Sequence, residues 1–151
     1  MNYVKEAEQI LYYYRDLNKS IANMDRRISR LVAKAGPKNL SAQAIDNVRV
    51  SGSSNHDETI NLIFEIQKLV DERERTMKEL EKAECVLKGL NDAPNCEHFE
   101  IVLRKWFIEN TPMEEIAEEL GYVERNAYKI RARAIRKFAV RMFGIETLKA
   151  I

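Results

Sequence analysis

Between residues 124 and 141 the sequence sets Arg125, Lys129, Arg131, Arg133, Arg136, Lys137 and Arg141 against a single acid, Glu124. Guanidinium and ammonium groups at this density attract a polyanion and neutralise its phosphates. The stretch from 109 to 119 has the opposite character, with Glu109, Glu114, Glu115, Glu118 and Glu119 and no base. A formal net charge of +1 hides this separation. A merely solvated helical face mixes its signs, so the segregation points to an oriented surface, bases toward an anionic partner and acids away from it. The other chemistry-bearing residues are scattered. His56 and His98 lie in separate segments, and the chain has no Gly-rich phosphate loop, nucleophile elbow or zinc spacing, so no catalytic residue, metal ligand or cofactor site is expected and the chain does not read as an enzyme. Cys85 and Cys96 match no zinc or redox spacing and read as structural thiols. The run His56-Asp57-Glu58 reads as the acidic start of a helix rather than a cation site.

The bases need a rigid element to present them. Thr111 is a good N-cap, Pro112 follows where a missing N–H costs nothing, and Glu114 falls where a capping box wants an acid, so a helix is expected over 112 to 120. Its apolar residues Met113, Ile116, Ala117 and Leu120 share one face, and Gly121 suits a sharp left-handed turn. A second helix, 124 to 142, turns Ala127, Ile130, Ala134 and Phe138 inward and stops near Gly144. Small Ala117 at the crossing, glycine four positions later and an apolar stripe beyond it make the helix-turn-helix pattern. A preceding helix over 96 to 109, with Phe99, Val102, Leu103, Trp106 and Phe107, completes a three-helix core, Leu103 and Trp106 being read as core. If the second helix enters a major groove, Glu124, Arg125, Asn126, Tyr128 and Lys129 on its first turns are the candidate base readers. Arg131, Arg133, Arg136 and Lys137 lie further along and suit phosphate contacts.

The rest of the chain is expected to be helical as well, since it has only five glycines and three prolines. From Tyr3 through Ala7, Ile10, Tyr14, Leu17, Ile21, Met24, Ile28 and Leu31 to Ala35 the apolar spacing alternates four and three, which is a heptad seam on one unbroken helix. Residues 57 to 90 carry a matching stripe of Leu62, Ile66, Leu69, Leu80, Ala83, Leu87 and Leu90, with Ile63, Val70 and Met77 beside it. Arg73 and Thr76 interrupt that stripe and predict wetter pairing midway. The Gly36-Pro37 break and the Ser/Gly run at 51 to 55 mark a flexible linker near 36–57. The expected organisation is therefore all-α: a helical arm over 1–90, folded back as a hairpin or paired between copies as a coiled coil, and a three-helix domain over 96–144, separated by "GLNDAPNC" at 89 to 96. No apolar run approaches a membrane span and the first residues do not read as a signal peptide, so a cytoplasmic protein with no membrane partner is expected, and the basic helix-turn-helix adds association with the nucleoid.

At "EEIAEELG", residues 114 to 121, and "YKIRARAI", residues 128 to 135, the sequence resembles the region 4 DNA-binding module of bacterial sigma factors. The order of helical arm, spacer "VSGSSNHDE" and sigma-like module resembles phage-encoded transcription regulators of the RinA and ArpU type, specifically so over roughly 98 to 138. That resemblance implies a sequence-specific double-stranded DNA-binding regulator, an activator of phage late or packaging genes working with host RNA polymerase and self-associating through its arm. It also implies base contacts at Glu124, Arg125, Tyr128 and Lys129. One departure is that Val123 stands where such modules carry a capping Ser or Thr. The alternatives are a phage small terminase-like packaging subunit and a coiled-coil adaptor that binds no DNA.

Overall fold

The computed structural model describes residues 2–36 and 54–150. Among these residues every regular element is a helix: α1 (Tyr3–Tyr12), α2 (Tyr14–Ala35), α3 (Ser54–Lys88), α4 (Phe99–Leu103) running on into a π-helical turn (Arg104–Ile108), α5 (Met113–Leu120), α6 (Glu124–Phe143) and α7 (Ile145–Ala150). No helix among the described residues is long and apolar enough to cross a membrane. Most of the linker expected near 36–57 lies outside the described residues.

By contact the chain divides into two units, Met1–Leu17 with Glu79–Ile151, and Asn18–Lys78. In the second unit the parts of α2 and α3 run in opposite directions, as the pairings Asp25 with Arg73 and Arg27 with Glu65 require. The heptad seam is legible here: Ile21, Met24, Ile28 and Leu31 are half-buried and Ala35 is buried, while Leu69 is the buried residue of α3 within this unit. Midway, where Arg73 and Thr76 break the stripe, Arg73 reaches across to Asp25 and the Thr76 hydroxyl bonds back to the Glu72 carbonyl at 2.9 Å. A groove of about 530 Å³ opens beside them, lined by Asn23, Met24, Arg27, Leu69, Glu72 and Arg75 among others.

The first unit holds one buried cluster. Ala7 and Leu11 of α1, Ala83 and Leu87 of α3, Leu90, Phe99, Val102 and Leu103, Met113, Ile116 and Ala117, and the inner side of α6 all belong to it. The boundary expected at 89 to 96 therefore runs through the inside of this unit, because α1 and the last turns of α3 bury their apolar faces with the C-terminal helices. The helix expected to run unbroken from 3 to 35 is interrupted at Tyr13 (φ −92°, ψ 10°). Leu11, which is off the heptad seam, is fully buried. Asn2 caps α1, its Oδ1 accepting from the backbone N–H groups of Val4 and Lys5 at 3.1 and 3.2 Å. α1 lies against α6, and α6 accordingly buries Ile135, Ala139 and Met142 beyond the four inner residues expected of it. After Gly144 the chain forms α7, which the sequence reading did not anticipate. Its Thr147 is fully buried, with the hydroxyl bonded to the Ala139 carbonyl at 3.2 Å.

Candidate nucleic-acid interface

α5 and α6 meet at Gly121, whose backbone (φ 75°, ψ 27°) lies in the left-handed region that L side chains disfavour. The Tyr122 N–H bonds back to the Ala117 carbonyl at 2.9 Å, closing the end of α5. Met113, Ile116 and Ala117 are buried on α5 and face the same core as Ala127, Ile130 and Ala134 of α6. The entry to α5 differs from expectation by one residue. Pro112 takes the cap position and no side chain bonds there, so the Thr111 capping box does not form; the Thr111 N–H is bonded instead to the Lys105 carbonyl at 2.7 Å. The helix expected over 96 to 109 starts at Phe99 and ends in the π turn, which puts Lys105 within 2.6 Å of Glu119 on α5 and turns Trp106 toward α6. Glu119 holds the Lys105 ammonium above its ordinary pKa.

α6 starts at Val123, whose backbone is extended (φ −76°, ψ 150°) and whose side chain supplies no cap bond. Because α6 is packed along its inner arc, the remaining arc carries the charge. Glu124, Arg125, Lys129, Arg133 and Arg136 are exposed, and Arg125, Lys129, Ala132 and Arg136 succeed one another at spacings of four, three and four along one face. Among the described residues the side chains of Arg125, Lys129 and Arg136 make no ion pair or hydrogen bond, and that of Arg133 has a long contact, its guanidinium 5.9 Å from the Phe99 ring centre. Asn126 is half-buried and lines a groove of about 190 Å³ with His98, Tyr122 and Arg133, in which the Tyr122 hydroxyl lies 2.7 Å from His98 Nδ1.

Three other bases on α6 are engaged within the molecule. Lys137 is half-buried, with its Nζ donating to the Leu90 carbonyl at 2.8 Å and to Asp92 Oδ1 at 2.9 Å. Arg141 Nη2 donates to both Asp92 oxygens at 2.8 Å, while its Nη1 donates to the Gly89 carbonyl. These donors hold the Asp92 carboxyl below its ordinary pKa, Lys137 contributing most. Lys137, read from sequence as a phosphate contact, thus serves to tie α6 to the turn that follows α3. Arg131, read the same way, lies between two aromatic rings, 5.0 Å from the Trp106 centre and 5.1 Å from that of Tyr128. Tyr128 remains 39% exposed and meets Trp106 edge-on at 5.8 Å. Such contacts at half-open sites are each worth about 0.5–1 kcal/mol. No spacing in the sequence announces the Asp92 fork or the Trp106 stack, since each joins residues far apart in the chain; the lone acid at Asp92 opposite a basic helix was the only trace. Cys85 is exposed and Cys96 half-buried, both as free thiols.

Comparison with models of protein families, with curated proteins and with solved structures finds no match.

Proposed function

We propose that this chain is a sequence-specific duplex-DNA-binding transcription regulator in which α5, the Gly121 turn and α6 act as a helix-turn-helix and α6 enters the major groove. The observation that carries the reading is the basic edge of Arg125, Lys129, Arg133 and Arg136, without ion pairs among the described residues and exposed on a helix whose other side is buried along its length. A packed helix with one free cationic edge is the shape that a major groove accepts. Arg133 and Arg136 neutralise phosphates while the leading turn, with Glu124, Arg125, Asn126, Tyr128 and Lys129, meets base edges. The acids Glu114, Glu115 and Glu118 on α5 are exposed, off the α6 edge, which keeps the module oriented. On the resemblance to RinA- and ArpU-type regulators, the role is activation of phage late genes with host RNA polymerase, and self-association belongs to α2 and α3.

The test is selection of duplexes from a random pool by the full chain, followed by binding measurements on the enriched site at several salt concentrations. An enriched motif is expected, with a log-affinity against log-salt slope of about −2 for two phosphate contacts. Absence of any enrichment, together with a slope near zero, overturns the reading and leaves a helical adaptor that binds no DNA.

A further inference from the structure

Arg131 differs from the other bases of α6 in what it would give up by reaching for a phosphate. Arg125, Lys129 and Arg136 are exposed and, among the described residues, have no side-chain partner to release. Arg131 is half-buried between the Trp106 and Tyr128 rings, 5.0 and 5.1 Å from their centres, on the side of α6 that faces the π turn. Tyr128, three residues earlier on the same helix, is confined by two neighbours: the guanidinium near its ring and Trp106 edge-on to it at 73°. A ring confined before binding loses less rotamer freedom when it docks, so its hydroxyl meets a partner at a lower entropic cost.

We propose that Arg131 and Trp106 are positioning residues for the DNA interface: together they hold the Tyr128 ring at the exposed front of α6 so that its hydroxyl discriminates among sequences, while Arg131 itself neutralises no phosphate. This rests on the DNA-binding reading above and reassigns Arg131 within it. The π turn makes the arrangement possible, because it is the element that carries Trp106 to the flank of α6.

The experiment uses the full chain, a duplex obtained by selection and an unrelated duplex of equal length, with affinity measured by fluorescence anisotropy across a salt series. Arg131→Gln is expected to leave the salt slope unchanged and to lower the ratio of specific to non-specific affinity about 5- to 10-fold, with Tyr128→Phe lowering it to a similar extent. Arg131→Lys, which keeps the charge near the rings, is expected to restore part of that ratio. Arg136→Gln, the contrasting variant, is expected to lower the slope by about one and both affinities alike. Trp106 is the chain's single tryptophan, so its emission without DNA reads the stack directly and is expected to change in Arg131→Gln and Tyr128→Leu while helix content stays the same. A fall of about one in the slope for Arg131→Gln, with both affinities reduced equally, overturns this proposal and leaves the DNA reading standing. A wild-type chain that binds neither duplex defeats the DNA reading and the positioning role with it.

Discussion

The residues of α6 divide by what they already touch. Arg125 and Arg136 are both exposed and have no ion pair among the described residues, so a difference between them must come from position along the helix. Arg125→Ala is expected to relax preference at one or two base positions, at a cost of about 1–3 kcal/mol on the preferred site, whereas Arg136→Ala weakens all duplexes about evenly. Parallel selections with the two variants check this, and identical motifs from both would undo the division into readers and phosphate contacts. Val123 allows a separate prediction. It stands 71% exposed at the cap of α6 with backbone angles that suit a capping residue and a side chain that cannot accept a hydrogen bond. Val123→Ser is expected to stabilise the chain by about 1 kcal/mol in denaturant unfolding, since a hydroxyl there accepts from an otherwise unpartnered N–H. No change in the midpoint would mean that the first turn is satisfied by other means.

The elements are joined by carboxylates whose ionisation matters to stability. Glu84 on α3 accepts from the two terminal Arg104 guanidinium nitrogens at 2.8 and 3.2 Å and from the Tyr14 hydroxyl at 2.7 Å. The Arg104 hydrogen bonds hold its carboxyl below the ordinary value against the opposing effect of burial, and Glu84 in turn raises Arg104. Asp92 is lowered for the same kind of reason. A carboxylate lowered on folding stabilises the fold fully above its ordinary pKa and loses that contribution as pH falls through the lowered one. Stability is therefore expected to decline below about pH 4, and less steeply in the Glu84→Gln, Asp92→Asn double variant. At neutral pH Glu84→Gln alone is expected to cost about 1 kcal/mol, solvent screening included. Melting curves over a pH series check both, and parallel pH profiles for the two proteins would show that these groups are not what acid acts on. The element bounds themselves were largely open to inspection of the sequence. Glycine, the charge switch and the apolar period placed α5 and α6 within a residue or so of where they lie. The cap at Thr111 was misplaced because its N–H is taken by Lys105, a bond that exists only once the π turn has formed, and "RKWFI" carries no sign of such a turn.

At the level of the whole molecule, the first unit draws on both ends of the chain, which local periodicity does not encode. Leu11 was passed over because the heptad seam selects Ile10 and Tyr14, yet the break at Tyr13 and the packing of α1 on α6 bury it completely. Leu11→Ala is expected to cost about 2–5 kcal/mol, the range for a leucine lost from a closed core, and a fragment of residues 96–144 to show no cooperative melt of its own. A fragment that melts as sharply as the full chain would show that α1 is dispensable to the core. Lys137 and Arg141 extend the same dependence, since the Asp92 fork fastens α6 to the end of α3. The π turn bears on how such a chain tolerates change in length. A π turn is an α-helix carrying one residue too many, so losing any one residue between Arg104 and Ile108 would restore the regular pitch. Because the wide turn already absorbs that residue, the chain downstream would keep close to its present angular phase. Substitutions in this segment trim single contacts, whereas a one-codon deletion would remove the bulge itself, and with it the placement of Trp106 beside α6, while leaving the approach to α5 in phase.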